Sequence, residues 1–276
     1  MADTADEVED VFLNFLGDNP KTAKQIRTQM TKKIAKDPES AKAWAARAWA
    51  NYQLDEFDDA IADATRAIEL CPDSYLPWHI RGAAHFCLVH GDQAEADLTE
   101  AIRLADSVKL FLEDSYVFRG GIRCDDKRLE EAFEDLNQSI KIDPEHAWAH
   151  LFRGNAYCHQ QNYSKAIKDF EQAISLSDDE PRALSTLAWL LATCPEEKIR
   201  NGQRAVELAE LANDLSDNEY LDDLAAAYAE LGDFKRAVKT QKRAIKKCHD
   251  RETKPKLEKR LKLYEAEQPY HAVWDE

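Results

Sequence analysis

One spacing limits what this chain can fold into more than any other feature. Small residues recur at a nearly fixed step: Ala60, Ala94, Ala132, Ala166, Ala205 and Ala237. The intervals are 34, 38, 34, 39 and 32 residues. Self-similarity at such a period means that one supersecondary unit is stacked repeatedly. With Ala41 as position 1 of the register, Trp44 falls at 4, Ala48 at 8, Ala60 at 20, Ala64 at 24, Ala67 at 27 and Pro72 at 32. The register restarts at Tyr75, Glu113, Ala147, Pro181 and Asn218. The predicted units are therefore 41–74, 75–112, 113–146, 147–180, 181–217 and 218–249.

Each unit carries two apolar stripes at helical spacing, which predicts two helices, A and B. In the first unit Trp44, Arg47, Ala48 and Asn51 share one face of helix A, and Ala60, Ala64 and Ala67 one face of helix B. Small residues at positions 8 and 20 let the two backbones approach closely. Gly82, Gly120 and Gly154 at position 8 cost about 1 kcal/mol each in helix propensity, so close packing is their expected reason. Pro72 and Pro144 stop helix B. A single helix pair cannot bury its own faces, so stacking must supply the core.

The ends are expected to be caps. Residues 1–40 are predicted to hold a helix over Lys21–Lys36 with a degenerate partner around Val11–Leu16. Residues 250–276 are predicted to hold a charged helix over Pro255–Glu267 and an extended tail over Pro269–Glu276.

Six copies in register resemble the tetratricopeptide repeat family over about Ala41 to His249. The resemblance implies an all-α fold, a right-handed superhelical solenoid of antiparallel helix pairs. It also implies that the A helices line a concave face, with positions 2, 5, 6, 9, 12 and 13 toward a ligand. On that carry-over the partner-binding residues are Trp49, Tyr52, Ile80, Phe86, Phe118, Trp148, Phe152, Asn155 and Trp189. Aromatic side chains are the usual anchors of interfaces, and Asn155 is the candidate to hydrogen-bond a ligand backbone. Chaperone-binding members hold a C-terminal carboxylate with Lys, Asn, Asn, Lys and Arg. The matching positions here include Ala45, Trp49, Ile80, Asp114 and Phe118, so that mode of recognition is disfavoured. The fifth unit, LAWLLATCPEEKIRNGQRAVELAELA, resembles a recurrent bacterial variant with a longer turn between its helices.

Composition narrows the function classes. The formal charge is −16, yet residues 21–36 carry six bases and no acid, and residues 235–262 carry 13 bases against three acids. That basic end lacks interleaved aromatics and any nucleic-acid fold signature, so nucleic acid is not an expected partner. Its alternative use is self-assembly against the acidic body. No apolar run is long enough to span a membrane, and the acidic N-terminus does not read as a signal peptide, so a cytoplasmic location is expected. The six scattered cysteines form no CxxC pair and are read as reduced thiols. Cys87, Cys124, Cys158 and His159 at positions 12 and 13 offer a thiol-rich metal-binding alternative. Hydrolase, zincin, P-loop and dinucleotide motifs do not occur. No catalytic residue, metal or cofactor is expected, and the leading expectation is a non-enzymatic module that binds a protein or peptide.

Overall fold

The computed structural model describes residues 3–8, 10, 22–105, 110–177, 181–271 and 274. Among them, regular structure is entirely helical. Helix α1 (Ala23–Lys36) is followed by six pairs: α2 (Ala41–Tyr52) with α3 (Phe57–Leu70), α4 (Tyr75–Cys87) with α5 (Gly91–Leu104), and α6 (Leu112–Asp125) with α7 (Leu129–Ile142). Then come α8 (Ala147–His159) with α9 (Tyr163–Leu176), α10 (Pro181–Thr193) with α11 (Gly202–Leu215), and α12 (Leu221–Glu230) with α13 (Phe234–Lys247). Helix α14 (Thr253–Glu265) closes the series. Two units can be described separately: residues 1–144 with α1–α7, and residues 145–276 with α8–α14.

Within each unit every A helix packs on its own B helix. The small residues set that distance. A Cβ on Gly82 would lie 2.8 Å from Leu98 Cγ, and one on Gly120 would lie 2.8 Å from Leu136 Cγ. A Cβ on Gly154 would enter the ring of Phe170. The partner side chain at position 24 thus occupies the space that glycine leaves open.

Helix starts and stops have local causes. Thr22 and Gln25 form a reciprocal capping box that starts α1. Helix α2 takes its cap from a distant segment: Asp3 Oδ2 accepts from the Lys42 amide (3.1 Å) and the Ser40 hydroxyl (2.9 Å). Five A helices end in the same left-handed residue at position 15, namely Asp55, Val89, Lys127, Gln161 and Gly232. In each, the following amide returns to the carbonyl of position 11, at 2.8–3.0 Å. This is the Schellman stop, and the left-handed residue is usually glycine. Only the sixth repeat uses one, so four exposed turn tips carry a residue that strains the backbone by about 1–2 kcal/mol.

A polar ladder runs through four repeats. Position 7 is Arg47, Arg81, Arg119 and Arg153, and position 23 is Asp63, Asp97, Asp135 and Asp169. Each guanidinium grips both carboxylate oxygens of its own repeat at 2.7–2.9 Å. The first three lie over the position-4 ring of Trp44, Trp78 or Tyr116. They also reach back to Thr31, Thr65 and Thr99 on the preceding helix. The Trp44 and Trp78 indole N–H groups donate to the carbonyls of Pro38 and Pro72, tying each A helix to the preceding turn. Burial alone would raise Asp169, but hydrogen bonds and charge from Arg153 and His150 hold it below the ordinary carboxylate range.

The four-residue insertion before the third repeat feeds its far end into the core. Tyr75 Oη donates to the Leu110 carbonyl (2.6 Å), and Leu110, Phe111 and Leu112 pack on the cluster around Tyr75, Leu76 and Ile80. Helix α1 is close to the predicted Lys21–Lys36, whereas the partner predicted around Val11–Leu16 lies outside the described residues. Helix α14 begins two residues before Pro255, which sits in its first turn, where a missing N–H costs nothing.

Candidate functional site

The A helices carry the candidate face in each unit. In the first unit, Trp49 is half-buried between the α1 cluster of Ile26 and Met30 and the cluster around Leu76. Tyr52 lies 5.8 Å from Phe57, and burial pushes its hydroxyl up, with Cys87 and Asp114 adding to the rise. Phe86 and Phe118 meet with ring centroids 5.0 Å apart, both half-buried over Ala94, Leu98 and Ile122. They continue a column in which His79 stacks between Phe111 (5.5 Å) and Phe118 (6.3 Å). His79 Nδ1 shares a hydrogen with Ser115 Oγ at 2.7 Å. Burial drives the imidazole down to about 4, against the smaller pull of Asp114, so it is neutral at pH 7. Ser115 is fully buried, so no substrate reaches this pair.

In the second unit Trp148 and Phe152 meet at 5.7 Å, and Arg182 lies over Trp148 at 5.0 Å. Asn155 Oδ1 is buried and, among the described residues, accepts no hydrogen bond. Trp189 is covered by two neighbours that also meet each other. The Arg260 guanidinium lies 5.3 Å above its ring, and Tyr270 from the C-terminal segment lies 6.0 Å away.

Two residues expected at a ligand surface are instead core. Ile80 is 1% exposed because consecutive A helices pack on one another in this unit and enclose position 6. Phe152 is 8% exposed, with Trp148, one turn earlier, lying against it. The structure brings Phe86 to Phe118 and Trp148 to Phe152. Trp49 and Tyr52 pack around the same cluster as Ile80.

A polar cluster on the second unit's A helices is absent from the expected set. Arg260 from α14 grips Asp222 at 2.6 and 3.1 Å, and Gln241 donates to the same carboxylate at 2.8 Å. The Ser185 hydroxyl donates to Asp223. Asp222 and Asp223 occupy positions 5 and 6 of the sixth repeat, so the ligand-position register, extended by one unit, would have found them.

Desolvation and the neighbouring Asp222 carboxylate push Asp223 up to about 7, against the Ser185 hydrogen bond and the Arg260 charge. A carboxyl raised in the fold binds its proton more tightly there than in the unfolded chain. Its contribution to stability is therefore full at low pH and falls as pH rises from about 4 to about 7. Asp223→Asn should remove that loss. Thermal melts should show the variant several degrees above the wild type at pH 8 and level with it at pH 4.5. Equal melting temperatures at pH 8 would count against the assignment.

The basic C-terminal end is partly consumed inside its own unit. Besides the Arg260–Asp222 pair, Lys242 meets Glu265 (2.8 Å), Arg243 meets Asn218 (2.9 Å) and Lys247 meets the Asp217 carbonyl (3.0 Å). Of the thiols, Cys87 is exposed while Cys124 and Cys158 are buried. Among the described residues no group of three His, Cys, Asp or Glu could hold a metal ion. No helix among them is long and apolar enough to cross a membrane.

Three segments match models of the tetratricopeptide repeat: residues 41–74, 147–179 and 219–246. No curated protein matches the chain. Among solved structures, the APC/C heterotetramer Cut9–Hcn1 superposes with a TM-score of 0.75 at 15% identity, over 93% of this chain and 48% of that one. Pseudomonas aeruginosa pilF gives 0.56 at 16% identity, over 87% and 99%. Yeast Tom70 gives 0.55 at 17% identity, over 88% and 59%. The chain thus spans about half the length of the first of these proteins. At such identities the likeness is one of fold.

Proposed function

We propose that this tetratricopeptide repeat protein is a non-enzymatic interaction module whose A-helix faces bind a peptide or partner helix. The observation that carries the reading is the set of half-buried aromatics at ligand positions: Trp49, Tyr52, Phe86 and Phe118 in the first unit, Trp148 and Trp189 in the second. Large rings that fold only partly out of water retain apolar area for a partner to cover. Ile80 and Phe152 act beneath them, as packing that fixes ring orientation. Asn155 Oδ1, buried and without a donor among the described residues, would accept from a ligand N–H only by rotating outward. The self-assembly reading has less behind it, because several of its cations are already paired within the unit.

The test is selection of peptides on the folded full chain from a random display library, followed by affinity measurement. Trp49→Ala/Phe118→Ala should weaken first-unit binders at least tenfold while the helical circular dichroism spectrum survives. Affinity should change little between 50 and 500 mM salt, since apolar burial is not screened. A double variant that binds every selected peptide as the wild type does would sink the groove reading.

A further inference from the structure

The second unit's A helices are not bare: Tyr270 and His271 of the chain's own C-terminal segment lie against α10 and α12, and its Trp274 lies against Phe170 of the B helix α9. Three side chains anchor that segment. The Tyr270 ring lies 6.0 Å from Trp189 and 5.4 Å from the Arg260 guanidinium, which faces both rings. Arg260 is fixed from behind by Asp222, itself held by Gln241. His271 Nε2 meets Glu230 Oε2 at 2.6 Å, while Oε1 of the same carboxylate accepts from Arg200 at 2.9 Å. The Trp274 ring lies 6.3 Å from Phe170, tilted by 28°.

Among the described residues of the segment, no main-chain hydrogen bond holds it. The last main-chain hydrogen bond runs from the Gln268 amide to the Leu263 carbonyl, and none follows among the described residues. Residues 269–271 lie outside any helix or turn. The contacts that hold its described residues are those of the Tyr270, His271 and Trp274 side chains, as in a peptide docked by its anchors. Each of its anchors meets a pre-arranged partner: a ring with a guanidinium already against it, a carboxylate already oriented by an arginine, and an aromatic core residue.

We infer that the segment carrying Tyr270, His271 and Trp274 is a tethered ligand of the second unit, and that the partner fitting this face is a foreign peptide with the same chemistry. That peptide carries two aromatic side chains four residues apart, with an imidazole or another side chain able to donate a hydrogen bond to Glu230 directly after the first. The inference rests on the reading of the A-helix faces as peptide-binding and deepens it. The tethered segment competes with the foreign peptide and so sets the threshold for binding. A short tether gives an effective concentration on the order of 1 mM, so a peptide of intrinsic Kd about 10–100 μM is weakened roughly ten- to hundredfold.

The test uses the full chain and a fluorescein-labelled peptide of residues 267–276, read by fluorescence anisotropy. Tyr270→Ala/Trp274→Ala vacates the face and should bind the peptide at least tenfold more tightly than the wild type. Adding Trp189→Ala should abolish that gain, and Trp49→Ala/Phe118→Ala in the first unit should leave it intact. Equal affinity of the wild type and the vacated variant, or no binding to either, would overturn the proposal.

Should the vacated variant lose its fold, the wild-type chain decides. With 5-fluorotryptophan incorporated, the Trp274 resonance should move to its solvent-exposed position as unlabelled peptide is added in excess. A resonance that stays put would make the segment a permanent structural cap and defeat the proposal. So would a concentration-dependent dimer that the vacated variant lacks, because the occupant would then be a second copy of this chain. Library peptides that still bind and depend on Trp49 and Phe118 would leave the broader groove reading standing when this one fails.

Discussion

Arg81→Leu should lower the stability of the first unit by about 3–5 kcal/mol, and Arg81→Leu/Asp97→Leu should restore most of that loss. Asp97 is 5% exposed, and both of its oxygens accept from Arg81, at 2.7 and 2.8 Å. Removing only the cation strands a buried carboxylate, the costlier of the two ways to break such a pair. Removing both sides exchanges two desolvated charges for apolar contact, which is often neutral or favourable.

The chain contains its own precedent. In the fifth repeat the same two positions, 7 and 23, are Leu187 and Leu208, and both pack into the second unit's core. Some loss will remain in the double variant, because Arg81 also covers the Trp78 ring at 4.9 Å and bonds Thr65 at 3.1 Å. Urea unfolding followed by circular dichroism measures the difference, provided the slope is unchanged. A single variant within 1 kcal/mol of the wild type, or a double variant no better than the single, would contradict the role given to the ladder.

That ladder also shows what could be read from the sequence. The six-unit register, the helix pairs and the glycines at position 8 were legible because each is a local pattern repeated several times. The Arg–Asp pairs repeat four times as well, but their partners lie 16 residues apart on different helices, so no helical stripe contains both. The left-handed residue at position 15 was hidden for another reason. Asp55, Val89, Lys127 and Gln161 share no chemistry, because the constraint falls on an exposed backbone turn.

The candidate site was less legible than the fold. Helical position alone cannot say whether a side chain ends on the surface or beneath a neighbour, and Ile80 and Phe152 ended beneath. Phe111 entered the aromatic column through an insertion, and Tyr270 and Trp274 reached theirs from a segment that occurs once. Neither has a period to reveal it.

The other large effect is expected at Gly202, the first residue of α11. A Cβ there would lie 2.8 Å from the Leu231 amide nitrogen and 2.9 Å from the Glu230 carbonyl carbon. Both are backbone atoms at the end of α12, and that end is already pinned. Arg200 bonds Glu230 at 2.9 Å and the Cys194 carbonyl at 3.0 Å, while the Asn201 amide bonds the Leu191 carbonyl at 2.9 Å. The long turn of the fifth repeat is thus a clamp that brings α11 against α12, and glycine is what lets it close. Helix propensity favours alanine by about 1 kcal/mol, whereas overpacking costs about 1–3 kcal/mol or more when the neighbour cannot move. The contact wins, and Gly202→Ala should lower the melting temperature by several degrees, with Gly202→Val lower still. Gly91 is the matched control. It holds the same position 17 at the start of α5, where a Cβ would meet nothing nearer than Ile122 Cγ2 at 3.8 Å. Gly91→Ala should therefore be neutral or stabilising, by up to about 1 kcal/mol. If the two alanine variants melt together, close approach is not what holds glycine at position 202.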